Sequence, residues 1–130
     1  MLKEKAITKE LKTCRVSLIG DGIIEFAVKE CCEVELTDVK EMVLTAGELG
    51  GGKMFKNLII AGEYSSMTSE ATQYMKSDEA HRYTIADAIV IDSLAQRILG
   101  NFNLGIVNKK RPSKLFNSKE KALGWLKSLN

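Results

Sequence analysis

The run Leu58-Ile-Ile-Ala61, closed by Gly62 and followed by a cluster of small hydroxyl residues, constrains this chain most. Four consecutive apolar residues bounded by a glycine read as a buried strand. Ser65, Ser66, Thr68 and Ser69 come next, and at Ala71, Tyr74 and Met75 the apolar spacing changes to a helical period. A strand that runs into a helix start places hydroxyls at the positive end of a helix dipole. This elbow predicts an α/β architecture and marks the first place to look for function.

The flanking sequence extends the pattern in both directions. Val16 and Leu18 alternate with Arg15 and Ser17, Asp21-Gly22 follows, and residues 23–28 are again mostly apolar. Asp-Gly between two such runs predicts a β-hairpin with strands near 14–20 and 23–29. Residues 1–12 predict a weakly ordered lead-in, and residues 13–130 a single domain. A short extended piece at 32–36 either continues the second strand past a bulge or starts a new one. Thr37 predicts an N-cap, with Asp38 and Glu41 in the first turn, where the dipole favours acids. Val39, Met42, Val43 and Ala46 then form one apolar helical face, and the helix stops near Leu49 at three glycines.

Past the elbow, the helix is expected to reach about Ser77, with a turn over 78–83. Residues 86–91 predict a second buried strand, with Ile89, Val90 and Ile91 β-branched. Asp92 or Ser93 caps a further helix over 93–104, with Leu94, Ala95, Ile98, Leu99 and Phe102 as its apolar stripe. A basic loop covers 108–114, Leu115-Phe116 is a short extended piece, and Asn117 with Glu120 has capping-pair spacing before a last helix. The order is a hairpin followed by βαβαβα units. It predicts a mixed sheet with parallel later strands, right-handed crossovers and helices packed on it.

The totals narrow the class. A chain of 130 residues is one domain's worth and buries enough surface for a core without staples. A net charge of +2 argues against nucleic acid as the partner. The three cysteines, Cys14, Cys31 and Cys32, are an odd count, and the adjacent pair would alternate across a strand. They read as reduced thiols in a cytoplasmic protein. The N-terminus alternates charge without an apolar core, unlike a signal peptide. No apolar run approaches the roughly 20 residues of a membrane span.

Signals for catalysis are sparse. Residues 47–54, GELGGGKM, approach a phosphate-binding loop, but Met54 stands where a magnesium-binding hydroxyl belongs. The run also leaves a helix and enters a strand, the reverse of the order that aims N–H groups at phosphate. It reads as a helix end and turn. His81 is the one histidine, with Asp78 and Glu79 nearby, and next to Arg82 and Tyr83 it reads as a surface residue. No titratable pair emerges from spacing, so no catalytic residue, metal ligand or cofactor site is predicted. Lys109, Lys110, Arg111 and Lys114 read as a solvated basic loop. The hydroxyl cluster reads first as helix capping by Ser66 or Thr68. A phosphate added there would bring close to two negative charges to a helix start.

The hairpin, the strand–elbow–helix and the following strand–helix resemble the STAS domain of anti-sigma-factor antagonists, a SpoIIAA-like fold. The closing KLFNSKEKALGWL at 114–126 resembles the ending of STAS/SEC14-like relatives, where an aromatic precedes a capped helix. The resemblance covers about residues 14–129. In antagonist STAS domains a strand leads into an Asp-Ser-Ser-Gly-like run whose serine a partner kinase phosphorylates. Ser69 falls on that serine, with Thr68, Glu70 and Ala71 at the places of the Asp, the second Ser and the Gly.

What the resemblance implies is a non-catalytic regulatory or protein-interaction domain. Its surface would be the elbow over 63–73, with Ser65, Ser66, Thr68, Ser69 and Gln73. The alternative is a lipid or small apolar ligand module of SEC14-like type, its pocket lined by Leu99, Phe102 and Ile106. An edge strand of the hairpin would allow a homodimer.

Overall fold

The structure, a computed structural model, describes residues 7–20, 22–91 and 111–129. The expected helix over 93–104, the pocket residues Leu99, Phe102 and Ile106, and Lys109 and Lys110 lie outside the described residues.

The hairpin forms as its sequence predicts. Strands β2 (Cys14–Leu18) and β3 (Ile23–Val28) pair antiparallel, with Val16 opposite Phe26. Gly20 and Gly22 take φ of 98° and 70°, the left-handed geometry a tight connection needs. A strand precedes the hairpin. β1 (Ile7–Glu10) pairs antiparallel with β2, within the segment expected to be a loose lead-in. All four of its residues are exposed, so no alternating apolar signal betrays it. Polar cross-strand contacts hold it instead. Thr8 Oγ1 lies 3.0 Å from Ser17 Oγ, and the Glu10 carboxylate receives Arg15 Nε at 2.9 Å and Lys29 Nζ at 2.8 Å.

The extended piece near 32–36 starts a new sheet. Cys31, at φ 57°, turns the chain, and β4 (Glu33–Val34) pairs in parallel with β6 (Ser66–Met67). Helix α1 (Leu36–Leu49) begins earlier than Thr37 predicts. Its cap is Glu35, whose backbone N–H donates to Asp38 Oδ2 at 2.8 Å. The acid at the third helical position reaches back as in a capping box. Gly51 and Gly52, at φ 65° and 78°, then turn the chain into β5 (Phe55–Ile60).

Helix α2 (Ser69–Met75), β7 (Thr84–Val90), β8 (Ser113–Phe116) and α3 (Lys119–Ser128) complete the described elements. The cap of α3 is Ser118, whose hydroxyl accepts from the Lys121 N–H at 3.2 Å, one residue beyond the Asn117 expected. The main sheet runs β1-β2-β3-β5-β7-β8, parallel from β3 onward. This is the mixed α/β architecture expected.

The parallel strands feed two interiors. One core joins Val16, Ile24 and Phe26 to Val39, Met42 and Ala46 of α1 and to Ala71 of α2. The other joins Ile23, Leu58, Ala86 and Ala88 to Ala122 and Leu126 of α3. Along β5, Phe55 and Ile59 serve the first and Leu58 and Ile60 the second, the two-residue alternation of a strand. Lys56, on the α3 side, donates to the Leu126 and Leu129 carbonyls at 2.8 and 2.7 Å. Both carbonyls lie at the end of α3, where Leu126 also accepts from the Leu129 N–H, and a lysine there suits the dipole.

Two glycines give opposite expectations. A Cβ on Gly62 would collide with the backbone carbonyl oxygens of Val28 and Lys29. A Cβ on Gly124 in α3 would meet nothing within 4 Å. Gly62→Ala should therefore lower stability by about 1–3 kcal/mol, and Gly124→Ala should raise it by about 0.5–1 kcal/mol. Urea unfolding of both variants against the parent protein checks the pair.

Candidate functional site

The elbow is pinned before it is displayed. Gly62 packs against the end of β3, and Ser65 closes a tight turn onto it, N–H to Gly62 O at 3.1 Å and Oγ to the same oxygen at 2.6 Å. The segment is then tied to the β4 strand. The Cys31 N–H donates to Glu63 O, the Ser66 N–H to Cys32 O and the Thr68 N–H to Val34 O, at 2.9 to 3.0 Å.

The hydroxyls predicted as one cluster therefore have different fates. Ser65 is buried and faces inward. Thr68 is the N-cap of α2, with Oγ1 accepting from the Ala71 N–H at 3.1 Å. Of the two caps the sequence offers, the structure uses Thr68, because Ser66 is spent in β6. Ser66, Ser69 and Gln73 face solvent. Just before them in the chain, Tyr64 stands 59% exposed, at φ 60°. That left-handed conformation is uncommon outside glycine and turns the ring outward from the pinned turn.

Behind the elbow lies an apolar cavity of about 70 Å³ between the sheet and α1, with Phe26, Val39, Met42, Ile59 and Met67 in its walls. Asn57 and His81 bring polar groups to it. His81, expected at the surface, is instead only 1% exposed. The turn after α2 tucks it under the sheet face, where Nε2 donates to the Met75 carbonyl at 2.7 Å, an orphan of the helix end. Its Nδ1 lies 3.4 Å from Thr84 Oγ1 and 3.6 Å from Asp87 Oδ2.

This is a titratable pair that spacing along the chain does not reveal. Asp87 and Asn57 are directly opposed on neighbouring strands. Asn57 Nδ2 donates to Asp87 Oδ1 at 2.8 Å and to Thr84 Oγ1 at 3.0 Å. Burial pushes the Asp87 carboxyl up from its ordinary range, and the His81 ring, the Asn57 amide and the Arg111 guanidinium pull it partly back. The signal that could have found the cluster was a polar residue on the inward face of each of two apolar strands, Asn57 between Phe55 and Ile59 and Asp87 before Ile89.

The other candidates separate. Arg111 is half-buried, with Nη2 4.0 Å from Asp78 Oδ1, so it is not part of a solvated loop. Lys114 is exposed, its ammonium 5.7 Å above the Phe116 ring. Cys14 is buried, which lifts its thiol to about 12, while Cys31 is exposed and all three cysteines are free. Among the described residues no group of three His, Cys, Asp or Glu could hold a metal ion, and no helix is long and apolar enough to cross a membrane.

A hairpin, parallel β-α-β units and a displayed strand-to-helix elbow define a SpoIIAA-like α/β protein. The fold is shared with an uncharacterised protein of the DUF3478 family from Shewanella loihica PV-4, described as having a SpoIIAA-like fold. The two are 18% identical, the match covers 97% of this chain and 98% of the other, and the TM-score is 0.58. The chain itself belongs to the family described as Domain of unknown function (DUF7793), whose model matches residues 17–130. No curated protein matches it. The expected SpoIIAA-like fold is thus found, and the family whose model matches is DUF7793.

Asp87 gives a pH prediction. Its folded value lies above the ordinary 3.8, so between those two values the folded state binds more protons than the unfolded one. Stability from this group then falls as pH rises through that window. Asp87→Asn removes the slope, so the variant should gain on the parent protein as pH is raised from about 4 to neutrality. Urea midpoints at a series of pH values measure it, and a difference independent of pH would contradict it.

Proposed function

We propose that the chain is a non-catalytic regulatory domain of the SpoIIAA-like kind that acts by presenting its elbow to a protein partner. The observation that carries this reading is the combination of pinning and exposure over residues 63–73. The turn is fastened by backbone hydrogen bonds to residues 31–34, while Tyr64, Ser66, Ser69 and Gln73 project from it. A surface held rigid before contact loses little conformational entropy on binding, and an exposed tyrosine is a common anchor.

Ser69 is the position for control. It is exposed and opens α2, beside Glu70 and one residue after the capping Thr68. A phosphate there would meet the favourable end of the helix and alter the charge a partner encounters. The three free cysteines suit a reducing, cytoplasmic setting. A homodimer would use the outer edge of β1, since β1 covers the edge of the hairpin itself.

A photo-crosslinking residue at position 73 tests the reading in the cells that make the protein. A discrete adduct is expected from position 73 and not from exposed Lys121 on α3. Tyr64→Ala should weaken that adduct by roughly tenfold or more, the size of a hot-spot loss. Ser69→Asp and Ser69→Ala should give different yields, and equal yields would remove the charge switch while leaving the docking surface.

A further inference from the structure

We infer that the cavity behind the elbow is a binding site for a small uncharged molecule with an apolar body and one hydroxyl or N–H donor directed at Asn57 Oδ1. Three observations carry it, independent of the elbow's outer surface.

The first is a buried acceptor with nothing to accept. Asn57 is 7% exposed and lines the cavity, and its Oδ1 has no hydrogen-bond partner among the described residues. The orientation of the amide is set by its other end. Nδ2 reaches two acceptors, Thr84 Oγ1 and Asp87 Oδ1, so both of its protons are committed and the oxygen is what remains. A buried carbonyl left without a donor is costly.

The second is the sign of the polar end. The Nε2 proton of His81 is already given to the Met75 carbonyl, so the ring adds no donor through that atom. Asp87 lies directly across from Asn57. No lysine or arginine lines the cavity, so a carboxylate or phosphate headgroup would face the Asn57 oxygen without a cation to pair with. An ammonium would leave water for apolar walls, at a large desolvation cost. The chemistry that fits is a neutral donor.

The third is size and lining. Some 70 Å³ is far more than one water needs and far less than a long acyl chain fills, and the cavity is open on one side, so a single ring can seat in it without being fully enclosed. The walls from Phe26, Val39, Met42, Ile59, Met67 and Met75 offer a water no partners, whereas they offer an aromatic ring or a short aliphatic chain close contact. Three methionines make the wall adaptable to the shape of the guest. Ser66, exposed in β6, and buried Ser65 both border the cavity, which therefore runs from the elbow to Asn57.

The experiment uses three probes of one ring size on the full chain: phenol, toluene and benzoate. Binding is followed by NMR titration of the Asn57 side-chain amide and by the shift in thermal midpoint. Phenol is expected to bind saturably, toluene about fivefold to tenfold more weakly for want of the hydrogen bond, and benzoate not at all. Asn57→Leu should abolish the preference for phenol over toluene. Because that variant also strips partners from Asp87 and Thr84, Val43→Phe serves as the second. It fills the cavity from α1, leaves Asn57 in place, and should lose phenol and toluene together. No binding of phenol at millimolar concentration, equal binding of toluene, binding of benzoate, or undiminished phenol binding by Val43→Phe would each overturn the assignment.

Discussion

β5 has parallel partners on both sides, and each of its residues must satisfy one of two interiors. Leu58 is fully buried among Ala86, Ala88 and Leu126, and Phe55 and Ile59 close the opposite core against α1. A slip of one position would exchange these sets and put Lys56 and Asn57 on the wrong faces. The register of this strand therefore fixes where both functional features sit. The elbow begins where β5 ends, and the cavity is floored by the one polar residue on its α1 side.

The buried polar group on that side is a network and not an isolated pair. Asn57 bridges Thr84 and Asp87, Asp87 approaches His81, and His81 ties the end of α2. Each contact reduces the penalty of burying the next group, and removal of one member would leave another uncompensated. The same network holds α2 to the sheet and shapes the inner end of the cavity. The outer end of α2 carries the exposed Ser69 and Gln73. Elbow and cavity thus share a helix, though nothing requires that they act together.

Much of the architecture was legible because apolar periodicity reports burial directly. The hairpin over 14–28, the helix on Val39, Met42 and Ala46, and the strands around Leu58 and Ile89 all follow from it. β1 was not legible, because it is exposed throughout and held by Thr8 and Glu10 facing Ser17 and Arg15 on β2. Helix starts moved by one or two residues, since Glu35 caps α1 in place of Thr37 and the Ser118 hydroxyl caps α3 in place of neighbouring Asn117. The candidate site was legible by position and not by role. The sequence places hydroxyls at the elbow, but burial of Ser65 depends on its turn onto Gly62 and on pairing with residues distant in the chain. His81 was misplaced for the same reason. Its neighbours Arg82 and Tyr83 suggest solvent, while its burial is decided by Met75, Thr84 and Asp87.

Connections between a strand and a helix are ordinarily where a fold tolerates insertions and deletions, because such loops run free over the surface. Here the loop after β5 is stitched to the loop before α1 through residues 31–34 and 63–68, two segments that must keep step with each other. A residue added to one without a matching change in the other would throw the short parallel ladder out of phase and rotate Tyr64, Ser66 and Met67 together. Variation in this protein's architecture should therefore accumulate elsewhere, in the glycine-rich link between α1 and β5, leaving the paired loops at constant length.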